Sequence, residues 1–471
     1  MTGGALILAI DQGTHSTRAV VFDGRGHLVA ISRKPVTLHA RSRTEVEQSA
    51  AEILDSMRTV VGEILRHPDV DAGLIQAAGL ATQRSSVLAW ERGSGMALSP
   101  VLSWQDRRTQ DELRALAAHE PEIRQRTGLH LSPHYGAGKL QWLLAHTPSV
   151  AAARDSGNLV MGPLAGYLLH HLIAGTGEFV DHANASRTLL WNLARRDWDD
   201  WLLDLFAIPR AVLPDCKPIL ADYGMTAPGN IPLRAVNGDQ TSALYAQGRP
   251  AENTVLVNIG TGAFVLMPVA DPQQRNPGQL AGVSLSDRHT ASYYIEGTVN
   301  GAASALDWAK TRFNASDLKG NLPVWLNTVP DPPVFINTIG GLGAPWWRAG
   351  PEPEFLGDTP AAPAAMVAVI ESVVFLIQAN VDLMCAANPG VDRIQVTGGL
   401  ANLDGLCQRL ADLSGLSVHR PVQVEATARG IAWQAAGCPA NWPASGPGKT
   451  FEPAGNAALE KRYRRFLEAL S

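Results

Sequence analysis

Residues 11–14, Asp-Gln-Gly-Thr, place a carboxylate, a glycine and a hydroxyl in one turn between two apolar runs. Two apolar runs joined by a tight glycine and threonine turn predict a β-hairpin. Backbone N–H groups around Gly13 and the Thr14 hydroxyl can bind a phosphate, and Asp11 offers the oxygen ligand that Mg²⁺ prefers. Arg18, in the second run, is suited to neutralise charge on a phosphoryl group in transfer. Taken alone, the turn fits a plain hairpin better than a phosphate site.

A second turn of the same kind, Gly260-Thr261-Gly262, also joins two apolar runs. A plain hairpin is again the simpler alternative, and the functional interpretation is a hydroxyl and several amides on the β- or γ-phosphate. Gly398 and Gly399 follow a predicted strand and open a helix, which indicates an adenosine site only in combination with the two turns. One phosphate turn near the start of each half predicts two lobes that clamp a single nucleotide.

Three further side chains have types suited to an alcohol acceptor. Asp239, in N-G-D-Q, is either a helix N-terminal carboxylate or a general base that accepts the proton of an attacking hydroxyl. Arg84, in T-Q-R-S-S, is either a surface arginine or a donor to vicinal hydroxyls. Trp104, in W-Q-D-R-R-T, is either a core residue or an aromatic that packs on a carbon face of the same ligand.

The elements that must position these residues alternate between strands and helices in both halves. Helical periodicity is clearest at 45–67 and in a long apolar segment at 361–387. Such alternation predicts two α/β lobes, and the repeated hairpin predicts an internal duplication. We divide the chain into an N-terminal lobe, 1–245, with the acceptor pocket, and a C-terminal lobe, 246–471, with most of the nucleotide site.

Composition limits the partners and the compartment. The 471 residues are 45% hydrophobic and 18% charged, with a formal net charge of −5, which argues against a nucleic-acid partner. No apolar stretch approaches the roughly 18 residues of a membrane helix, and no basic segment opens a signal peptide. The four cysteines form no C-x-x-C pair, so reduced thiols are expected. These features predict a cytoplasmic protein with no membrane partner.

Ten motifs follow one another along nearly the whole chain. They are D-Q-G-T, Q-R-S-S, W-Q-D-R-R-T, K-L-Q-W, N-A-S-R-T-L-L-W-N, N-G-D-Q, G-T-G-A-F, E-G-T-V, G-L-G-A-P-W-W and T-G-G-L. In this order they resemble the FGGY carbohydrate kinases, and among them the glycerol kinases most. Each motif is modest, but ten in the right order are highly specific.

The resemblance implies an α/β fold of two actin-like (ribonuclease H-like) lobes with an interlobe cleft. It implies ATP-dependent phosphoryl transfer to a hydroxyl of a small polyol or sugar, with ATP and Mg²⁺ as cofactors. Because members of the family are often dimers or tetramers, it also implies a homodimer or homotetramer.

Carried over residue by residue, the resemblance makes Asp239 the catalytic base and leaves Asp11 near the metal. The phosphate and nucleotide residues, from the turns and the resemblance together, are Gly13, Thr14, Arg18, Gly260, Thr261, Ala303, Gly398 and Gly399. The implied acceptor-pocket residues are Arg84, Ser85, Trp104, His134, Asp239, Gln240 and Phe264.

This chain departs from the family pattern in the acceptor pocket. Ser85 stands where the glycerol kinases carry a substrate-binding glutamate, His134 where a tyrosine is expected, and Ala303 where a glycine is frequent near the adenosine. Loss of a carboxylate acceptor removes about 1.5–3 kcal/mol, or roughly tenfold to a hundredfold in affinity. Serine is also shorter and leaves room. We therefore expect an acceptor larger than glycerol, such as a tetritol, pentitol or ketopentose, with glycerol itself as the alternative.

A function from another class also fits the motifs. A nucleotide-dependent sensor on the same fold would bind ATP without transferring its phosphoryl group, and fold alone does not exclude it. Asp239 favours the kinase, since a pure binder has no need of a base beside an acceptor pocket.

Overall fold

The computed structural model describes residues 4–175, 177–422, 425–444 and 446–470. The strands are β1 (Leu6–Gln12), β2 (Ser16–Asp23), β3 (Leu28–Pro35), β4 (His39–Ala40), β5 (Val46–Gln48), β6 (Ile75–Thr82), β7 (Val87–Glu91), β8 (Val101–Leu102), β9 (Leu159–Pro163), β10 (Phe179–Asp181), β11 (Trp191–Asn192), β12 (Asp197–Trp198), β13 (Asp215–Lys217), β14 (Leu220–Met225), β15 (Pro232–Gly238), β16 (Thr254–Ile259), β17 (Ala263–Val269), β18 (Leu280–Ser286), β19 (Ala291–Val299), β20 (Phe335–Ile336), β21 (Glu354–Phe355), β22 (Arg393–Thr397), β23 (Ser417–Arg420) and β24 (Lys449–Phe451).

The α-helices are α1 (Ala50–Leu65), α2 (Gln110–Arg114), α3 (Glu120–Thr127), α4 (Gly136–His146), α5 (Pro148–Asp155), α6 (Leu164–Leu172), α7 (His182–Ser186), α8 (Asp200–Leu205), α9 (Asp239–Ala243), α10 (Ala303–Arg312), α11 (Leu318–Thr328), α12 (Ala362–Ala387), α13 (Asp404–Ser414), α14 (Ala426–Ala435) and α15 (Ala457–Leu470). The chain forms two compact units. Unit 1 consists of Met1–Pro250, Gly282–Tyr293 and Val424–Ala444, and unit 2 of Ala251–Ala281, Tyr294–Gln423 and Ser445–Ser471.

Unit 1 is built on a six-stranded sheet in the order β14-β15-β6-β1-β2-β3. Strands β1 and β2 form the hairpin expected from the sequence, and β1 and β15 both run parallel to β6. Thr82 at the end of β6 is in register with Gln12 of β1 and with Gly238 of β15. Because parallel strands end at the same edge of a sheet, the residues that follow all three strands emerge together. This edge positions the candidate site.

Unit 2 repeats the pattern in a seven-stranded sheet, in the order β18-β19-β17-β16-β22-β23-β24. Strands β16 and β17 form the second expected hairpin, and β22 runs parallel to β16 with Asn258 opposite Thr397. The turn after β16 and the glycines after β22 therefore lie at one sheet edge. In both units, the hairpin strand that precedes the phosphate turn has an antiparallel and a parallel neighbour, as an internal duplication predicts.

Two segments of the second half of the sequence belong to unit 1. The sequence division at 245/246 assigned 282–293 and 424–444 to the C-terminal lobe, whereas the structure assigns them to unit 1. The physical reason is clear for α14, which packs against β1, β6 and β15. A methyl group on Gly430 of α14 would overlap the Ser242 carbonyl oxygen, so the helix and the segment after Asp239 are in close contact. Sequence order alone does not reveal such a return of the chain.

Helix α12 corrects the expectation that no apolar stretch approaches the length of a membrane helix. Its 26 residues include an 18-residue window with a mean hydropathy of 1.9, so the helix would be long and apolar enough to cross a membrane. However, 94% of its most apolar window is buried inside the protein. Core helices of large domains have this composition, and α12 packs in the hydrophobic core of unit 2.

Helix α1 begins five residues later than the periodicity predicts. Residues Val46–Gln48 form a short strand, and the Ser49 side chain accepts a hydrogen bond from the Glu52 backbone N–H. This cap fixes the start of the helix at Ala50. The apolar face predicted for this helix is confirmed, since Ile53, Met57 and Val60 are buried against the unit 1 sheet.

Candidate active site

The first phosphate turn is held by side chains from other parts of unit 1. The Gly13 backbone N–H donates to the Ser16 carbonyl at 3.0 Å and closes the turn. Gln48 Nε2 donates to the Thr14 carbonyl at 2.8 Å, and Trp104 Nε1 donates to Thr14 Oγ1 at 2.9 Å. The structure thus joins a residue predicted for phosphate, Thr14, to one predicted for the acceptor, Trp104.

Asp11 lies at the end of β1 in a setting rich in negative charge. It is 4% exposed, and burial raises its pKa to about 7, opposed by the Arg18 guanidinium and reinforced by the carboxylates of Asp239 and Glu425. Arg18 Nη1 lies 3.6 Å from Asp11 Oδ2 and also donates to the Glu425 carboxylate. The Asp239 carboxylate thus acts on the pKa of Asp11 although the two residues are 228 positions apart in sequence.

Glu425 was not identified from the sequence. It immediately precedes α14 in a left-handed conformation with φ +41°, and its ion pair with Arg18 is formed across 407 positions. Nothing local marks such a partner, because the glutamate reaches the turn only through the return of α14 to unit 1.

The acceptor residues Arg84, Asp239 and Gln240 meet beside this turn. Arg84, 6% exposed, donates from Nη2 to Gln240 Oε1. Gly238 allows the approach, because a methyl group there would overlap the Arg84 side chain. Burial raises the pKa of Asp239 above its ordinary value, while the Arg84 charge and the Gln240 backbone N–H, at 2.7 Å from Asp239 Oδ1, favour the ionised form.

Ser85 and His134 both belong to this part of unit 1. Ser85 is buried with φ +64°, and its Oγ has no hydrogen-bond partner among the residues that the structure describes. The His134 ring lies edge-on to Trp104, with centroids 5.6 Å apart, and to Tyr135, at 5.0 Å. Burial, with the nearby Lys139 charge, holds the pKa of His134 well below its usual range. His134 is therefore neutral at physiological pH and able to accept a hydrogen bond.

A hydrogen-bond network connects the turn at 11–14 with the turn at 83–86. Gln83 Nε2 donates to Gln48 Oε1 at 2.9 Å and to Gln12 Oε1 at 3.2 Å. Ser86 Oγ donates to Gln83 Oε1, and the Trp104 backbone N–H donates to Ser86 Oγ at 3.0 Å. No sequence motif points to Gln48 or to the role of Gln83; their amides align the two turns.

The predicted phosphate and nucleotide residues other than Gly13, Thr14 and Arg18 lie in unit 2. The backbone N–H of Ala303 donates to the Gly260 carbonyl at 3.1 Å, and those of Ala302 and Ser304 donate to the Thr261 carbonyl at 3.0 and 3.2 Å. The start of α10 thus closes over the turn. Thr261 is exposed and available to a ligand. Phe264, predicted for the acceptor, lies half-buried on β17 of unit 2, and its role stays a prediction.

Gly398 and Gly399 are expected to respond differently to a methyl group. Gly398 has φ +95°, and a Cβ there would lie 2.5 Å from the Ile259 carbonyl oxygen, whereas a Cβ on Gly399 meets nothing within 4 Å. We expect Gly398→Ala to lower the free energy of unfolding by about 2–4 kcal/mol through strain and overlap. Gly399→Ala, its neighbour in the same motif, should change it by less than about 0.5 kcal/mol. Denaturant unfolding of the two variants measures the difference, and equal losses would contradict the assigned backbone geometry.

A metal would be held with few protein ligands. Among the described residues, no group of three or more His, Cys, Asp or Glu side chains is arranged to hold a metal ion. Magnesium at a phosphate site usually takes one or two carboxylates, with waters and phosphate oxygens completing its shell. Asp11, whose pKa is raised beside two other carboxylates, fits a single-carboxylate site, because a cation there would offset the repulsion.

In a comparison with known proteins, most of the chain matches the two domains of one family. Residues 6–244 match the N-terminal domain of the FGGY family of carbohydrate kinases, and residues 255–437 match its C-terminal domain. A protein named glycerol kinase from Alcanivorax borkumensis is 34% identical over 442 residues, which cover 91% of this chain and 88% of that protein.

Solved structures share the fold at low sequence identity. Plasmodium falciparum glycerol kinase with ADP is 21% identical, with a TM-score of 0.89 over 99% of this chain and 98% of that one. Xylulose kinase from Rhodospirillum rubrum is 20% identical, with a TM-score of 0.85 over 98% of each chain. The prediction of a two-domain, actin-like α/β fold is thereby confirmed.

Proposed function

This chain belongs to the FGGY family of carbohydrate kinases, and from that premise we propose how its residues share the work of transfer. The protein is an ATP-dependent phosphotransferase that acts on a hydroxyl group, as members of this family are. The observation that supports an assignment of roles is the meeting of Asp239, Arg84 and Gln240 beside a turn whose Thr14 is bonded to Trp104.

Asp239 is the general base. A phosphoryl transfer needs a group that accepts the acceptor hydroxyl's proton as the oxygen attacks phosphorus. The carboxylate of Asp239 is half-buried, and Arg84 beside it favours its ionised form. Arg84 and Gln240 bind the remaining hydroxyls of the acceptor, and the Trp104 ring supports its carbon face.

Thr14 and the amides of its turn bind phosphate oxygens, and Arg18 neutralises charge on the transferred group. Asp11 would hold Mg²⁺, which supplies positive charge to the phosphate oxygens when bound. Thr261, with the glycines after β16 and β22, binds the nucleotide. The cleft in which both sets of residues would share one ATP stays a prediction.

The acceptor is a polyol or sugar larger than glycerol. Support comes from Ser85, whose buried hydroxyl is short and lacks a partner among the described residues, where the glycerol kinases carry a glutamate. A cytoplasmic location, with all four cysteines as free thiols, and a homodimer or homotetramer are further proposals. Glycerol itself is the competing acceptor.

An acceptor panel with Mg-ATP tests this function. We expect ADP release that depends on an alcohol, with a higher kcat/KM for a tetritol, pentitol or ketopentose than for glycerol. Erythritol, ribitol, xylitol and D-xylulose, with glycerol as the reference, cover these sizes. Slow ADP release that no alcohol accelerates would instead indicate a nucleotide-dependent sensor, and the highest kcat/KM on glycerol would defeat the proposal on acceptor size.

A further inference from the structure

Lys139 is a fully buried cation in the first turns of α4. Its side chain is 0% exposed, and its Nζ donates to the carbonyls of Ser85, Ser103 and His134 at 3.1, 2.7 and 2.8 Å. An ammonium group has three N–H donors, so this arrangement uses all of them. The side chain therefore satisfies its hydrogen-bonding capacity entirely with backbone.

Lys139 does not stabilise the helix that carries it. Positive charge near a helix N-terminus is opposed by the helix dipole, and burial lowers the pKa of Lys139 to about 7. Asp106, also buried, favours the charged form, and Arg108 opposes it. A lysine that is fully buried here and bonded to three backbone carbonyls indicates a role in the segments that those hydrogen bonds connect.

The three carbonyls come from three separate segments around the acceptor. Ser85 lies in the turn after β6, Ser103 directly precedes Trp104 after β8, and His134 lies two residues before α4. Each carbonyl thus belongs to a residue assigned to the acceptor pocket or to its immediate neighbour. Among the strands that the structure describes, none pairs the turn at 83–86 with the segment at 134, so Lys139 links backbone that the sheets leave unconnected.

We propose that Lys139 is a positioning residue of the acceptor pocket, which fixes Ser85, Trp104 and His134 relative to one another through their backbone. The inference rests on the proposed function, because it assigns Lys139 to the acceptor rather than to ATP. Lys139 does not touch the acceptor; it acts through the three segments it holds. Its loss should therefore alter acceptor binding more than nucleotide binding.

Arg429 provides a matched control within the same unit. It is 2% exposed and, like Lys139, donates to three backbone carbonyls, those of Gly26, Ala246 and Pro443. None of these three belongs to the acceptor residues. Replacing either cation by methionine leaves three carbonyls without their donor, so both variants should lose stability for the same reason.

The experiment compares Lys139→Met with Arg429→Met in the full chain. We expect Lys139→Met to raise the acceptor KM by about tenfold or more, because the displaced segments would no longer hold the acceptor's hydrogen-bond partners in place, and one such bond contributes about tenfold in affinity. The KM for ATP should stay within about twofold, and Arg429→Met should leave both KM values unchanged at a similar loss of thermal stability. Lys139→Arg, which keeps a cation with several donors, should recover part of the acceptor KM.

The outcomes distinguish a failure of the positioning role of Lys139 from a failure of the proposed function. An acceptor KM that does not change in Lys139→Met, or that rises equally in Arg429→Met, overturns the positioning role. If Lys139→Met does not fold, the Lys139→Arg variant decides, and an unaltered ratio of its two KM values overturns the role as well. Failure of the unaltered protein to phosphorylate any alcohol overturns the proposed function, and the acceptor role of Lys139 with it.

Discussion

Asp239→Asn is expected to reduce kcat for phosphoryl transfer by about 10³-fold, within the roughly 10²–10⁴ that general bases contribute. Asparagine has nearly the same shape, and its Oδ1 can still accept the Gln240 backbone N–H. Its amide, however, accepts no proton from an attacking hydroxyl. The measurement is ADP formation with a saturating alcohol, alongside a calorimetric titration with Mg-ATP, whose Kd should change by less than about threefold.

Asp181→Asn serves as the matched control for this variant. Asp181 is also a buried unit 1 carboxylate, and burial raises its pKa to about 6. It caps α7 by accepting the Asn184 backbone N–H at 3.0 Å, and its second oxygen accepts the Asn184 side-chain amide at 2.7 Å. An asparagine would turn an NH2 group toward that second donor, so this variant should lose stability and retain transfer. Transfer preserved in Asp239→Asn, or lost equally in Asp181→Asn, would remove Asp239 from its role as base.

We expect Asp239→Asn to keep or raise the free energy of unfolding at neutral pH while it lowers the rate of phosphoryl transfer. Its pKa is raised in the folded protein above the ordinary value of 3.8, so the folded state holds this proton more tightly than the unfolded state does. The associated stabilisation is complete below pH 3.8 and is lost as pH rises through the folded-state pKa. Asparagine carries no such penalty, and the variant should therefore be at least as stable as the unaltered protein at neutral pH. A variant that loses activity while its free energy of unfolding does not fall has lost its base and not its fold.

The sequence predicted the candidate site residues that lie at the ends of local elements. Asp11 ends the apolar run that forms β1, and Asp239 begins α9, where the sequence places it at the start of a helix. Because β1, β6 and β15 are parallel neighbours, their carboxyl ends coincide. The repeated hairpin likewise located Gly260 and Thr261. Local patterns suffice where a motif and the element that positions it are contiguous.

Residues that act across long sequence separations could not be predicted in this way. Glu425 reaches Arg18 only because α14 packs on the unit 1 sheet, and Gln48 reaches Thr14 from the strand that precedes α1. Lys139 lies in the K-L-Q-W motif, but its three partners are backbone carbonyls that leave no trace in residue types. These contacts depend on how separate elements pack and align. Hydrophobic patterns specify burial and register only within one element, so they do not reveal such contacts.

The departure at Ser85 predicts that a carboxylate can be restored to the acceptor pocket. Ser85→Glu is expected to raise kcat/KM for glycerol by about tenfold to a hundredfold, the value of one charge-assisted hydrogen bond. The backbone at this position already has φ +64° and is held through its carbonyl by Lys139. The substitution therefore lengthens the side chain at a fixed position, and the added atoms should lower kcat/KM for ribitol and xylitol.

Ser85→Ala separates the effect of the carboxylate from that of the lost hydroxyl. The Ser85 Oγ has no partner among the described residues, so alanine should leave glycerol turnover within about twofold, because no hydrogen bond within the protein is broken. A glutamate that improves glycerol turnover while excluding larger polyols would show that acceptor size is set at this position. If kcat/KM for glycerol falls in Ser85→Glu as it does for ribitol, the pocket does not admit the longer side chain, and this position does not set acceptor size.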